Sequence, residues 1–284
     1  MAGATIKIFL ADGTPLGLRV IEKSNWTGRG FDFARADWPK VRGRDDFGKP
    51  GVYVLRGLDP DGLVRVYIGE ADELRARINQ HFSGPTAKDF WERAVAFTSK
   101  DENLNKAHVR FLESRLVGLG QAAKRAKLEN GTAPAAPALS EYDRAEAETF
   151  LDEMLVIYPL LGIDAFAPPA AGTADPTKIL YLKSGGVTAR ARDTAEGFIV
   201  LEGSLAAKHE GAVGDYVVKI RQNLLAIGVL ADGGAFLKVC QDYTFSSPSL
   251  ASTVLLGRNS NGRKEWKDGE HRSLKLIQES AGHG

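Results

Sequence analysis

The chain has 284 residues, a length that predicts about two domains of ordinary size. Hydrophobic residues make up 43% and charged residues 26%, with 12 prolines, which excludes fibrous, collagen-like and low-complexity proteins. The 37 basic and 36 acidic residues leave a net charge of +1, so charge alone neither supports nor excludes a polyanionic partner.

Residues 1–49 are predicted to hold two short strands followed by a polar, glycine-rich lead-in. The strands run from Thr5 to Leu10 and from Gly17 to Ile21, around turn residues that begin at Asp12-Gly13. No further element is predicted before Pro50.

Residues 50–131 are predicted to form an α/β unit that opens with a hairpin. Its apolar strands run from Val52 to Leu55 and from Leu63 to Ile68, with the turn residues Asp59-Pro60-Asp61-Gly62 between them. Three elements follow: an amphipathic helix from Asp72 to Phe82, a strand from Arg93 to Thr98, and a longer helix that runs to about Leu128 and for which Asp101 to Asn105 offer capping residues.

Residues 132–164 are predicted to be a connector, and residues 165–184 a linker rich in Ala, Pro and Gly. The connector contains a helix from Glu141 to Ile157, for which Ser140 is the expected N-cap. Residues 185–284 are predicted to form a small α+β domain with strands at 187–192, 198–201 and 235–239, and with helices at 215–230 and 248–256. The predicted fold class is therefore α/β, in its α+β form, with two domains.

Two tripeptides stand out on the predicted hairpin, Gly51-Val52-Tyr53 and Tyr67-Ile68-Gly69. Arg77 follows Tyr67 by ten residues, and Glu113 lies on the predicted long helix. In this order and spacing these residues resemble the GIY-YIG nuclease superfamily, with GVY as a variant of the first tripeptide. The resemblance covers residues 50–131 and implies a small central antiparallel sheet flanked by helices.

The resemblance further implies an endonuclease that hydrolyses phosphodiester bonds of nucleic acid, DNA before RNA, with one Mg²⁺ or Mn²⁺ ion. The role of base falls to one phenol of the pair Tyr53 and Tyr67, with Tyr67 favoured. Arg77 would clamp the scissile phosphate, since a guanidinium stays charged and its planar fork fits two phosphate oxygens. His81 would share that face, and Glu113 would bind the metal ion together with waters.

Three further residues are expected at the substrate. Lys106 lies seven residues before Glu113 and so on the same helical face. Arg110 belongs to the stretch from Leu104 to Asn130, where six basic and two acidic residues give a local charge of +4. Asn130 is the nearest candidate for the asparagine that the family places after its glutamate. A solvated helix face would account for the same basic stretch.

Glu70 departs from the family pattern, because the position after the second tripeptide is often a lysine. We expect Glu70 either to turn away from an incoming phosphate or to act as a second metal ligand, and Lys106 to replace the missing cation. Ordinary alternatives also stand: the tyrosines could be strand aromatics, and Arg77 could pair with Glu73 on a solvated helix face. A catalytically degenerate module that binds nucleic acid or another protein is the alternative function.

The C-terminal half carries three segments, Glu196 to Ser204, Phe245 to Ser249 and Asn261 to Lys267. They resemble a domain of unknown function that is often appended to bacterial GIY-YIG proteins, over about Gly185 to Gln278. No activity transfers from that family, and a protein partner is one expectation for this half. Six basic residues around Trp266 would suit contacts with single-stranded nucleic acid: Arg258, Arg263, Lys264, Lys267, Arg272 and Lys275. A tryptophan that closes a small core is the competing interpretation.

A single cysteine, Cys240, excludes internal disulfide bonds and any zinc site built on cysteine pairs, which is typical of a reducing cytoplasm. The longest nearly apolar stretch, Met154 to Ile163, is too short to span a bilayer. Lys7 interrupts the early apolar run, so no signal peptide is expected. We therefore expect a cytoplasmic protein with no membrane partner.

Overall fold

The computed structural model describes residues 3–59, 64–132, 134–167, 179–194, 197–209, 211 and 213–281. Contacts divide the chain into two compact units, Met1–Ala167 and Pro168–Gly284. Both units combine sheets with helices, so the α+β two-domain class predicted from the sequence is confirmed. None of the helices within the described residues has the length and apolar composition needed to cross a bilayer.

The described strands of the first unit form one seven-stranded sheet in the order β1-β2-β3-β6-β4-β5-β7. Their bounds are Ile6–Leu10 (β1), Arg19–Lys23 (β2), Gly28–Ala34 (β3), Gly51–Leu58 (β4), Val64–Ala71 (β5), Arg93–Ser99 (β6) and Lys127–Leu128 (β7). Neighbouring strands are antiparallel except β5 and β7, which pair in parallel over two residues. The predicted hairpin thus lies within the sheet. Strand β5 is followed in the sheet by the two-residue strand β7, so most of β5 lacks a strand partner on that side among the described residues.

Helices cover both faces of this sheet. Their bounds are Trp38–Val41 (α1), Leu74–Ser83 (α2), Lys106–Ala123 (α3) and Glu141–Ile157 (α4). Val52, Val54 and Ile68 pack in one core with α3 and α4, whereas Tyr53 and Leu55 pack in a second core with α2. Because successive strand residues point to opposite faces, both tyrosines of the tripeptides face α2.

Caps fix where α3 and α4 begin. The Asn105 side chain accepts hydrogen bonds from two backbone amides at the start of α3, and the Ser140 hydroxyl accepts one from the amide of Asp143 at the start of α4. The Ser140 cap was predicted and is confirmed, and the cap of α3 is Asn105, the last residue of the predicted capping stretch Asp101 to Asn105. The predicted continuation of α3 to Leu128 is wrong, because Lys124 adopts the left-handed conformation and the chain turns into β7.

Strand β3 was not predicted, and it joins the lead-in to the rest of the sheet. It pairs with β2 on one side and along its whole length with β6 on the other. Residues 1–49, which the sequence sets apart from residues 50–131, therefore share one hydrogen-bonded sheet with them. The predicted turn at 59–62 lies mostly outside the described residues.

The second unit contains two described sheets, ordered β14-β10-β9-β8 and β11-β13-β12. The strands are Leu180–Ser184 (β8), Val187–Thr194 (β9), Gly197–Val200 (β10), Leu205–Ala207 (β11), Leu230–Asp232 (β12), Phe236–Val239 (β13) and Tyr243–Phe245 (β14). The helices are Asp215–Ala226 (α5), Pro248–Leu256 (α6), Gly262–Glu265 (α7) and Leu274–Ala281 (α8). One core of buried apolar residues unites these elements.

The predicted linker 165–184 differs from the structure at both ends. Ala165 and Phe166 are buried in the core of the first unit, because the chain after α4 returns to that core. Leu180 and Leu182 belong to β8 and are buried in the second unit. The second unit therefore starts before residue 185, while residues 168–178 lie outside the described part of the chain.

Candidate active site

Tyr53 and Tyr67 lie on adjacent antiparallel strands with their rings on the same face of the sheet. Tyr53 pairs with Gly69 and Leu55 pairs with Tyr67, and the two tyrosine ring centroids are 6.3 Å apart. A Cβ at residue 69 would collide with the Tyr53 hydroxyl. Glycine at this position therefore lets the Tyr53 ring lie across the neighbouring strand. This explains on steric grounds why the second tripeptide ends in glycine.

His81 joins α2 to the buried phenol. The Tyr53 hydroxyl lies 2.8 Å from His81 Nε2, and His81 Nδ1 lies 3.3 Å from the Thr86 carbonyl oxygen. A carbonyl oxygen can only accept, so Nδ1 carries the proton and Nε2 accepts from Tyr53. Burial lowers the pKa of His81 to about 4, which keeps the ring neutral at pH 7.

The two phenols differ in environment. Tyr53 is fully buried, and burial raises its pKa well above the ordinary value, with Tyr67 adding to the rise. Tyr67 is only half-buried, and its ring packs edge-on against His81 with centroids 5.0 Å apart. The Lys88 ammonium lies 4.2 Å from the Tyr67 ring centroid. Tyr53 is therefore held as a neutral hydrogen-bond donor, and Tyr67 is the phenol with access to solvent.

Arg77 lies on α2 beside both phenols. Burial acts to lower the pKa of Arg77, but its interactions with Tyr53 and Tyr67 outweigh burial, and the pKa is raised. Its Nη1 donates to Gln80 Oε1 at 2.8 Å. No ion pair to Glu73 is present among the described contacts, so Arg77 is directed at the tyrosines instead.

Glu113 lies on α3 and is half-buried. Burial, followed by the nearby Glu70 carboxylate, raises the pKa of Glu113 to about 7, against the opposing effects of Arg77, Arg110 and Lys106. Glu113 also acts on Tyr53 electrostatically. The structure thus brings Glu113 within electrostatic reach of the tyrosine cluster, as a carboxyl group whose burial raises its pKa despite three neighbouring cations.

Glu70 faces Lys106. Glu70 Oε2 lies 3.0 Å from Lys106 Nζ, and Asp72 Oδ2 lies 3.2 Å from the same ammonium. The negative charge that Glu70 adds beside the second tripeptide is therefore partly neutralised within the protein. Lys106, expected as a cation for the substrate, is held by these two carboxylates.

Asn130 pairs with the backbone of Ile68 by both halves of its amide. Its Oδ1 accepts from the Ile68 amide at 3.0 Å, and its Nδ2 donates to the Ile68 carbonyl at 2.8 Å. These bonds continue the parallel pairing of β7 with β5. Asn130, expected to bind substrate, thus fixes the strand next to Tyr67. Arg110 is exposed one turn before Glu113 on α3.

The donor set suits one hard cation with waters. Glu113 and Glu70 offer carboxylate oxygens from a helix and a strand, and burial disfavours negative charge on Glu113 unless a cation is nearby. Within the described residues, no group of three or more His, Cys, Asp or Glu side chains is placed to hold a metal ion. Mg²⁺ and Mn²⁺ bind carboxylate oxygens and keep several waters, so the two carboxylates are chemically compatible with either ion.

Comparisons with known proteins bear on the second unit. A family model described as a domain of unknown function, DUF4357, matches residues 180–278. That range begins at the first residue of β8. No family model of the GIY-YIG nucleases matches the chain. No curated protein and no solved structure shows a significant match.

Proposed function

We propose that the first unit is a metal-dependent endonuclease of the GIY-YIG kind, which hydrolyses phosphodiester bonds of nucleic acid, DNA before RNA. The observation that carries the proposal is the contact cluster of Tyr53, Tyr67, Arg77 and His81 with Glu113 in electrostatic reach. These residues come from two strands and two helices, and packing of an ordinary core would not require a guanidinium and a carboxylate beside two phenols.

Tyr67 is the residue best placed to accept a proton from water. Its phenol is half-buried, the Arg77 guanidinium lies beside it and the Lys88 ammonium lies 4.2 Å from its ring centroid, and a positioned phenol can act as a general base. Tyr53 is buried and its hydroxyl donates a hydrogen bond to His81, so it serves to position the neighbouring groups. His81 acts through Tyr53 and is a positioning residue.

Arg77 and Glu113 would bind the two charged components of the reaction, the scissile phosphate and the divalent ion. The Arg77 guanidinium would bind the scissile phosphate, since a planar cation matches two phosphoryl oxygens. Glu113, with Glu70 beside it, would hold the divalent ion. A bound Mg²⁺ or Mn²⁺ supplies charge neutralisation on the phosphoryl oxygens and support for the leaving 3′ oxygen.

The variant Glu113→Gln tests this function. We expect wild type to cut labelled DNA or RNA with Mg²⁺ or Mn²⁺ and to be inactive in chelator. Glu113→Gln should cut about 100-fold more slowly or not at all, because the metal carboxylate is lost, while it still binds nucleic acid. The assay compares single- and double-stranded DNA and RNA.

Glu102→Gln is the matched control, since Glu102 is an exposed carboxylate before α3 and should leave the rate unchanged. Cleavage by Glu113→Gln at the wild-type rate would remove the assigned site. Binding without cleavage by the wild type under every condition would identify the degenerate binding module instead.

A further inference from the structure

The outer face of the four-stranded sheet in the second unit carries an exposed aromatic residue in a row of cations. Leu180 and Leu182 of β8 are buried, whereas Tyr181 and Lys183 are exposed, and Tyr181 keeps 37% of its surface accessible. Tyr181 pairs with Arg190 on one side and with Lys267 on the other. Because opposite residues of an antiparallel pair project from the same face, we call Arg190, Tyr181 and Lys267 the Tyr181 row.

A cleft of about 610 Å³ adjoins the Tyr181 row, and lysines dominate its charge. Lys183, Lys264 and Lys267 line it, and none of the three has an ion-pair partner among the described contacts. Two carboxylates also line the cleft, but Glu265 lies 2.9 Å from Arg258 and Asp268 lies 2.8 Å from Arg272. The acidic side chains are thus neutralised from outside, and the cleft presents net positive charge.

Trp266 is excluded as the aromatic contact of this surface. It is fully buried, packs 5.0 Å from Phe198 between ring centroids, and donates its indole N–H to the Pro248 carbonyl. The interpretation of Trp266 as a core residue is therefore confirmed. The basic residues near Trp266 in the sequence are at the surface, and the accessible aromatic ring beside them is that of Tyr181.

We propose that the Tyr181 row and its cleft bind single-stranded nucleic acid. Tyr181 stacks on an unpaired base, and Lys183, Lys264 and Lys267 contact phosphates. An aromatic ring on a sheet with cations beside it matches single-stranded nucleic acid. The ring can stack on the exposed face of an unpaired base, and the cations can pair with the phosphates along the backbone. In a duplex the bases are already paired and stacked, so the ring has no free base face to contact.

This site lies in the second unit, and it does not depend on the cleavage proposed for the first. Binding is therefore measured in chelator, where no cleavage is expected. The probe is a fluorescently labelled oligothymidylate, read by anisotropy with the full-length chain over a range of salt concentrations. Cleavage in Mg²⁺ is measured in parallel. Binding by the second unit and cleavage by the first are thus tested separately, and failure of one proposal does not decide the other.

Tyr181→Ala should weaken binding about 10-fold, because loss of a base–aromatic stack has an effect of this size. Tyr181→Phe should retain wild-type affinity, and Tyr216→Ala is the matched control, since Tyr216 is exposed on α5 outside the cleft. Replacing Lys264 and Lys267 with glutamine should also weaken binding. The negative slope of log affinity against log salt concentration should become smaller in magnitude by about 1.4, because two phosphate contacts are lost.

A photoreactive oligothymidylate containing 5-iodouracil then locates the contact. We expect its crosslink on the peptide that contains Tyr181. Unchanged affinity of Tyr181→Ala, equal affinity for a duplex of the same length, or crosslinks confined to the first unit would each overturn the proposal.

Discussion

At the scale of residues, the proposed site depends on one buried phenol and one accessible phenol. The Tyr53 hydroxyl donates a hydrogen bond to a neutral His81, whose other nitrogen donates to the Thr86 carbonyl oxygen. Tyr67 stays near solvent beside Arg77. The spacing of the tripeptides predicts that these residues lie in one site, but spacing does not determine how deeply each side chain is buried. The sequence alone therefore does not predict that Tyr53 is buried while Tyr67 is accessible, because packing decides this.

Two charged neighbours show the same limit. Glu70 is conspicuous in the sequence, yet its pairing with Lys106 depends on how α3 lies against β5. Lys88 reaches the Tyr67 ring from the loop after α2, where no periodic pattern marks it. Its backbone amide donates to the His81 carbonyl at 3.0 Å, and this bond fixes the loop.

Glu113 makes a pH-dependent contribution to stability that can be measured without a substrate. Its pKa in the folded state is about 7 against an ordinary value of 4.5. A carboxyl group with a raised pKa stabilises the folded state below its unfolded pKa, and this contribution is lost as the pH rises through the folded pKa. In chelator, the free energy of unfolding should therefore fall between about pH 4.5 and 7 through this group.

Glu113→Gln cannot ionise, so its stability relative to wild type should rise over that pH range. The difference at pH 8 should be about 1 kcal/mol in favour of the variant, after allowance for solvent screening of a half-exposed carboxyl. Denaturant unfolding of both proteins at pH 5 and pH 8 measures it, and added Mg²⁺ should reduce the difference. A difference that is the same at both pH values would contradict this environment for Glu113.

At the scale of elements, the strand that carries Tyr67 is held in place by its partners. On one side β5 pairs with β4 over eight residues. On the other side β7 is its partner among the described strands, over two residues, and the amide of Asn130 extends this pairing. The tripeptide strands, β6, α4 and the start of α3 were predictable because apolar periodicity and capping residues coincide there.

Strand β3 was missed because its sequence hides the pattern of a strand. It begins Gly28-Arg29-Gly30, and it buries Asp32, which forms ion pairs with Arg19 and Arg93. Glycine and aspartate are both depleted in strands, so propensity argues against this element. The ion pairs that make a buried aspartate acceptable come from β2 and β6, and local sequence does not reveal them.

Asn130→Asp tests how far Asn130 fixes this strand. The aspartate keeps the shape but loses the N–H donor, and at neutral pH it places a charge against the Ile68 carbonyl. We expect a loss of about 1–3 kcal/mol in the free energy of unfolding, together with slower cleavage. Asn259→Asp is the control, since Asn259 is exposed after α6 and its side chain has no hydrogen bond among the described contacts. Wild-type stability in Asn130→Asp would show that the amide bonds are dispensable.

At the scale of the whole molecule, two units with separate cores carry two different surfaces. The first unit holds the cluster of phenols, a guanidinium and a carboxylate, and the second holds a basic cleft with an exposed tyrosine. The α+β class and the presence of two units follow from composition and periodicity. The boundary between the units does not, because a stretch rich in Ala and Pro that enters a core resembles a linker in sequence.

The cleavage rate of Tyr67→Phe in Mg²⁺ tests the central proposal most directly, because the change removes a single oxygen from the phenol near solvent. We expect Tyr67→Phe to cleave in single turnover at least about 100-fold more slowly than wild type with unchanged affinity for nucleic acid, and Tyr142→Phe, which changes an exposed tyrosine on α4, to cleave at the wild-type rate. Cleavage by Tyr67→Phe at the rate of wild type would contradict it.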